Sequence, residues 1–281
     1  MGIVAQKMNV LVTLDQNYLP PLRVMLKSLF VNNCGEAFKI YILHNDIPEK
    51  ECEKLDIFCR AHGSKLCCVQ IDEGAFANAP VFRHYTKAMY YRLLAFKLLP
   101  QDIKKILYLD PDILALNPVR PFYETDISGS LFAAAMHSAF GNIAKYLNQL
   151  RLGNTNLDRY FNSGVLLMNL TNQRREIKEE DIFNYVKERE NMLILPDQDV
   201  INALYSQRIL PVDDTIYNYD VRHYPIYNLI SGGEKDLDWV MENTVFLHFC
   251  GKNKPWHKRA YTKFAALYKH YKVLAERTCQ A

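Results

Sequence analysis

The chain has 281 residues, 49% of them hydrophobic, and a net charge of +3. That length holds one large or two ordinary domains with a full core, and so mild a charge gives composition no case for nucleic acid. No segment reaches the apolar length of a membrane span. The N-terminal MGIVAQKMNVLVTL lacks a small-residue cleavage pattern, so it reads as a strand and not as a secretion signal. Seven cysteines without metal-type spacing read as free thiols in a reducing compartment, the cytoplasm.

Residues 1–7 read as a short leader, with the fold starting near Met8. Asn9–Leu14 has the apolar content of a strand, and Leu22–Val31 carries a helical apolar pattern. Phe38–Leu43 is a second strand, and Pro48 opens a helix with good N-terminal chemistry. Leu66–Ile71 is a third strand. Met89–Leu99 is predicted as one buried helix, because Leu93, Leu94, Ala95, Phe96 and Leu98 surround most of its girth. Ile106–Leu109 is a fourth strand, ending at Asp110. This β-α-β-α-β-α-β order predicts an α/β fold with a largely parallel, doubly wound sheet flanked by helices. Beyond Asp112 the pattern changes. Leu131–Met136 and Gly164–Asn169 are short apolar runs with no clear helix between them. Glu179–Glu188 and Asp197–Tyr205 are helices, Asp213–Asp238 is a tyrosine-rich loop, Val245–Phe249 is a last strand, and the chain from Trp256 onward is helical. No linker composition intervenes. The chain therefore reads as one domain, 8–256, with a C-terminal helical appendage, 257–281.

Chemistry concentrates at strand ends, and open α/β sheets bind ligands at the C-terminal ends of their strands. There Asp110 and Asp112 stand two apart in KILYLDPDILALNPV, and extended backbone projects both carboxylates to one side. Pro111 between them favours that backbone. Paired hard oxygens suit Mg²⁺ or Mn²⁺, which in turn holds a diphosphate; the local alternative is a turn. His248 ends the last strand in HFCGKNKPW, where a neutral ring nitrogen can ligate a metal. Gly251 permits close backbone approach, and Lys254 offers a point charge for phosphate; the alternative is a core histidine followed by a basic loop. In YFNSG, the Asn162 amide is suited to sugar hydroxyls, or to an Asn-Ser-Gly turn. In PDQD, Asp197 is the expected N-cap of its helix. Asp197, Gln198 and Asp199 together suit sugar hydroxyls and a developing positive charge. Asp15 and Asn17 follow the first strand, where a nucleoside binds or a helix is capped. Arg92 is a cation on a core-facing helix, so it requires an anionic partner.

The order and spacing of these motifs resemble glycosyltransferase family 8. That family includes bacterial lipopolysaccharide galactosyl- and glucosyltransferases and the self-glucosylating glycogenins. The resemblance runs from about Met8 to Trp256. YLDPDILALNPV is similar to the family's Asp-X-Asp (DXD) motif and its flanks, and FNSGVLLMNL to its Asn-small-Gly strand. DQDVINAL is similar to its acid-Gln-acid helix, and HFCGKNKPW to its His-X-X-Gly-X-X-Lys-Pro-Trp signature. The resemblance implies a GT-A fold, a nucleotide-sugar donor, usually a UDP-hexose, and retention at the anomeric carbon, giving an alpha linkage. By position it implies Mn²⁺, or Mg²⁺, on Asp110, Asp112 and His248, bridging the diphosphate of UDP. Gly251 and Lys254 would contact the phosphates. Thr13, Asp15 and Asn17 would frame the uridine, and Arg92, Asn162, Asp197 and Gln198 would hold the sugar. Pro111 and Ser163 fall within these donor-binding motifs; Ser163 stands where alanine is common.

The leaving group under this resemblance is UDP, whose developing charge a metal and Lys254 would stabilise without proton transfer. Retention requires a nucleophile on the far face or front-face attack by the acceptor. Gln198, expected nearest the anomeric carbon, is a poor nucleophile, which favours front-face attack; Asp199 is the reserve nucleophile. The expected acceptor is a glycan or lipid-linked saccharide. A sugar-1-phosphate nucleotidylyltransferase would share the fold, but it needs a glycine-rich basic loop, and Leu14–Pro20 has no Gly, Lys or Arg. A glycogenin-like self-glucosylating protein stays open with 18 tyrosines present. So does a non-catalytic nucleotide-sugar-binding protein, which would more readily have lost the metal triad. In Lys258–Arg277, Tyr261, Phe264, Tyr268, Tyr271 and Leu274 share one helical face, with Leu267 at its edge and Lys and Arg beside it. That face either packs on the domain or lies in an anionic interface. The expected location is the cytoplasm, including a peripheral position at the inner face of the membrane.

Overall fold

The structure is a computed structural model describing residues 7–72, 74, 88–136, 148–155, 157–258, 260 and 262–278. The expected leader, apart from Lys7, lies outside the described residues, as do Arg259 and Tyr261 of the C-terminal stretch.

Strands β1 (Met8–Thr13), β2 (Phe38–His44), β3 (Lys65–Gln70) and β4 (Lys105–Leu109) follow the apolar runs of the sequence. Helices α1 (Leu19–Val31), α2 (Glu49–Arg60), α3 (Ala88–Leu93) and α4 (Ala95–Leu98) run between them. The last two correct the single helix expected over Met89–Leu99. The chain breaks at Leu94 (φ −108°, ψ 17°). A straight helix that is apolar all round has no single face for one core; the break lets Leu93, Leu94, Ala95 and Phe96 all be buried. Next come β5 (Ile113–Ala115), α5 (Arg120–Tyr123), β6 (Phe132–Met136) and β7 (Phe161–Asn169). They are followed by α6 (Leu170–Glu176), α7 (Glu179–Arg189), α8 (Pro196–Tyr205) and β8 (Ile209–Val212). The stretch Asp213–Asp238, expected as a loop, holds α9 (Asp214–Tyr217), β9 (Tyr219–Asp220) and α10 (Tyr224–Ile230). These pieces are too short to show a period. The chain then forms α11 (Leu237–Asn243), β10 (Phe246–His248) and α12 (Lys263–Thr278). The last helix starts well after Trp256, beyond a run of turns.

Seven strands form one sheet in the order β3-β2-β1-β4-β7-β6-β8. β3, β2, β1 and β4 are parallel neighbours, β7 is antiparallel to both β4 and β6, and β8 is parallel to β6. The strand order reverses between β1 and β4, which opens a crevice at the end of β4 where Asp110 emerges. Successive residues face opposite layers. Leu11, Tyr108 and Leu166 join one core, and Val10, Val12, Leu107, Leu109, Val165 and Leu167 join the other. Burial on both faces is why these strands read as unbroken apolar runs.

A second sheet has the order β5-β10-β9, with β10 antiparallel to β5 and parallel to β9. Leu114, Tyr219 and Leu247 of this sheet join Phe264, Tyr268 and Tyr271 of α12 in a third cluster. Helix α1 ties the parts together. Ser28 Oγ accepts the Ala115 amide at 2.9 Å, and Asn32 Nδ2 donates to the Ala115 carbonyl at 2.8 Å and the Tyr271 hydroxyl at 2.7 Å. The Phe264–Tyr268–Tyr271 face of α12 is thus spent on the domain, so docking is the arrangement found and that face is not left for a membrane surface. Among the described residues no helix is long and apolar enough to cross a membrane.

Candidate active site

Asp110 lies just past β4, where its amide donates to the Gly164 carbonyl at 2.8 Å and so extends the pairing with β7. Asp112 lies just before β5, and its carbonyl accepts the Phe249 amide at 3.0 Å beside β10. Buried Pro111 is the step from one sheet to the other. The two carboxylates and His248 therefore meet where the sheets meet, with one ligand atom from each within 4.8 Å of the others. His248 Nε2 is 3.3 Å from Asp112 Oδ1 and 3.8 Å from Asp110 Oδ2. Gly164 makes room for them: a Cβ there would stand 2.3 Å from His248 Cε1 and 2.8 Å from Asp110 Oδ2. No Asn-Ser-Gly turn forms, because Asn162, Ser163 and Gly164 are already inside β7.

The donor set fits a divalent cation, and a hydrogen-bond relay explains how. The Gly164 amide donates to Asn162 Oδ1 at 2.8 Å, so Asn218 must present Nδ2 to that same oxygen, at 2.7 Å. Asn218 Oδ1 then faces His248 Nδ1 at 2.8 Å. The neutral ring carries its proton on Nδ1 and turns the Nε2 lone pair to the carboxylates. Burial would lower the His248 pKa, but Cys250 and Asp112 raise it well above its ordinary value. Burial raises Asp110 against the pull of Arg92. It would raise Asp112 too, but His248 and Lys254 hold that carboxyl well below the usual range. A divalent cation held by these three groups would take the Nε2 lone pair in place of a proton. A second group, His44, Cys52 and Cys68, is equally close, but its ring is turned the other way. The Ile47 amide donates to His44 Nδ1 at 3.2 Å, so the neutral ring's proton is on Nε2, 3.9 Å from Cys52 Sγ. That nitrogen has no lone pair for a metal, and the described cysteines are free thiols.

Arg92 of α3 links the acids. It bonds Asp110, Asp197 and the Tyr108 hydroxyl, donates to Ser163 Oγ at 3.0 Å, and lies 4.1 Å over the Tyr108 ring. Its required anionic partner is therefore a pair of carboxylates. Burial opposes the charge on Arg92, but Asp110 and Asp197 hold it more firmly protonated than usual. Asp197 is not the N-cap expected: Leu195 holds that place, and Asp197 sits in the first turn of α8, where Ser163 Oγ donates to it at 3.1 Å. Gln198 Oε1 accepts the Ser163 amide at 3.1 Å. Asp199 is fully buried. It accepts Arg151 at 2.6 and 2.8 Å, the Tyr160 hydroxyl at 2.6 Å, and the Ile194 and Leu195 amides at 2.7 and 3.0 Å. A carboxylate so engaged has no face for attack on a sugar, which corrects its place as reserve nucleophile.

Of the remaining expected residues, Thr13 and Lys254 contact the site directly, and Asp15 and Asn17 lie in the loop after β1. Thr13 Oγ1 is 3.2 Å from the Tyr108 hydroxyl. Asp15 caps a short 3-10 turn, Gln16–Tyr18, by accepting the Asn17 amide at 2.8 Å, and Asn17 is exposed. Lys254 Nζ bonds Asp112 and donates to the Phe249 carbonyl at 2.9 Å. Gly251 takes φ +84°, a conformation that favours glycine. Trp256 packs edge-on to Tyr18 at 6.0 Å and so joins the two loops. Arg151 and Asn218 are site residues outside every quoted motif, and Tyr108 and Tyr160 are site residues that lie within quoted motifs without a role expected of them. Tyr108 was hidden in an apolar strand, and Asn218 lay in the stretch without a period.

The fold is shared with solved glycosyltransferases. The galactosyltransferase LgtC, in complex with donor and acceptor sugar analogues, matches with a TM-score of 0.78 at 22% identity, over 95% of this chain and 96% of that one. The fold is GT-A. General stress protein A of Bacillus subtilis strain 168 is 26% identical over 272 residues, 94% of this chain and 92% of that protein. A lipopolysaccharide 1,2-glucosyltransferase of Escherichia coli K12 is 27% identical over 277 residues, 96% of this chain and 78% of that protein. The profile of Glycosyl transferase family 8 matches residues 9–260, and the chain belongs to that family.

Proposed function

We propose that the protein moves a hexose, glucose or galactose, from a UDP-sugar to a glycan or lipid-linked saccharide with retention. It uses Mn²⁺, or Mg²⁺, held by Asp110, Asp112 and His248. The observation that carries this reading is the triad at the β4 end of the crevice, with His248 Nε2 turned by Asn218 toward two carboxylates. A bound cation would neutralise charge on the departing diphosphate. Lys254, beside Asp112, and the open main chain at Gly251 suit the same task. Thr13, Asp15 and Asn17 suit a uridine at the end of β1. Arg92 braces Asp110 against Asp197, so the metal side and the sugar side of the site share one frame; Asn162, Ser163 and Gln198 complete the sugar side. With Asp199 locked in its own ion pair, the amide Gln198 is left near the anomeric carbon, which favours front-face attack. The glucosyltransferase name of the E. coli relative supports a hexose and a saccharide acceptor. The free thiols support a reducing compartment, the cytoplasm.

The test is UDP release from a panel of UDP-sugars, with Mn²⁺ and after chelation. Release from UDP-glucose or UDP-galactose that stops on chelation is expected. Equal release in chelator, or release from no UDP-hexose, overturns the reading. Intact mass after incubation with the donor should stay unchanged; added hexoses would make the protein its own acceptor.

A further inference from the structure

No motif contains Arg222, yet the small sheet carries it to the edge of the site. Pairing of β9 with β10 sets Asp220 beside His248. The Asp220 side chain is 0% exposed. It accepts the Arg222 amide at 2.9 Å, Nε at 3.0 and 3.1 Å, and Nη2 at 2.6 Å. A guanidinium held through Nε and Nη2 is fixed in its plane and offers Nη1 on the opposite edge. Nη1 lies against the Gly251 turn: a Cβ on Gly251 would stand 2.8 Å from it. Arg222 also touches the Cys250 thiol. Its side chain is 53% exposed, and Nη1 has no oxygen partner among the described residues. The other cations of the site are committed: Arg92 to Asp110 and Asp197, Arg151 to Asp199, and Lys254 to Asp112 and the Phe249 carbonyl.

We propose that Arg222, through Nη1, is a side-chain contact to the diphosphate of the nucleotide-sugar donor, working with Lys254 at the Gly251 turn. The proposal rests on the donor reading above. Asp110 and Asp112 already offset the charge of a divalent cation, so a diphosphate there needs further positive charge. A guanidinium supplies it with a geometry matched to phosphate oxygens. Buried Asp220 keeps that donor aimed and spares it the cost of ordering on binding.

The test compares wild type, Arg222→Gln and Arg222→Lys for calorimetric affinity toward uridine and UDP with Mn²⁺. UDP affinity should fall about tenfold in Arg222→Gln and less in Arg222→Lys, the loss of one charge-assisted hydrogen bond. Uridine affinity should not change, which also reports that each variant is folded. Equal losses for uridine and UDP would make Arg222 a brace for the loop and overturn the contact. Unchanged UDP affinity with a raised acceptor KM would assign it to the acceptor and overturn it as well. A wild type that binds no UDP in Mn²⁺ would overturn the donor reading and this contact together.

Discussion

At His248 a single amide decides which nitrogen faces the carboxylates. Asn218 is committed to presenting Oδ1 because Asn162 Oδ1 already accepts the Gly164 amide, so the ring tautomer traces back to a main-chain N–H. Asn218→Ala should weaken Mn²⁺ affinity by about 10–100-fold, the usual cost of losing an outer-shell partner. Asn218→Asp keeps an acceptor at Nδ1 and should lose less. Titration of Mn²⁺ by calorimetry or electron spin resonance checks both; unaltered affinity in Asn218→Ala would mean packing alone orients the ring. Gln198, which accepts the Ser163 amide, is proposed for the sugar side. Gln198→Ala should cut turnover strongly and leave UDP affinity nearly unchanged. A matching loss of UDP affinity would move Gln198 to the nucleotide.

At the scale of elements, β7 matters because it runs against its neighbours and passes beneath the triad. Its Gly164 is needed for close approach and not for a turn. Gly164→Ala should keep the strand pairing but push His248 aside. It should destabilise the protein by about 1–3 kcal/mol, as overpacking does, and abolish tight Mn²⁺ binding. Urea unfolding and metal titration on the same sample check this; full metal affinity would show that the strand gives way instead of the histidine. Helix α8 makes a related point. Asp199 serves its N-terminal turn and its ion pair with Arg151, while Asp197, two residues past the capping position expected of it, faces Arg92. Two acids in one short motif thus take different tasks because their partners lie on different elements.

Across the whole molecule, α12 behaves as part of the domain and less as an appendage. Tyr268 is 2% exposed, with Trp256 at 5.7 Å and Phe249 at 5.7 Å, and Trp256 reaches on to Tyr18 beside the first loop. Tyr268→Ala should destabilise the folded protein by about 3–5 kcal/mol, the range for large aromatic truncations, with unfolding still one cooperative transition. It should also weaken UDP binding through Trp256. An early separate transition, or unchanged stability, would restore 257–281 as an independent tail.

The sequence by itself determined the parallel half of the sheet, because strands buried on both faces must be continuously apolar and so stand out between helices. It also singled out Asp110, Asp112 and His248 as candidate ligands, through the order of the motifs that hold them, since each alone reads equally as a turn or a core histidine. Tertiary structure alone decided that the two aspartates belong to different sheets, with Pro111 as the step between them. It alone decided that Asn218 sets the histidine and that Arg222 is aimed at the Gly251 turn. The physical reason is range. Periodicity reports the neighbours of a residue along its own element, whereas Asn218 meets Asn162 across 56 positions and His248 across 30. A hydrogen bond between such residues leaves no pattern in the chain that carries them.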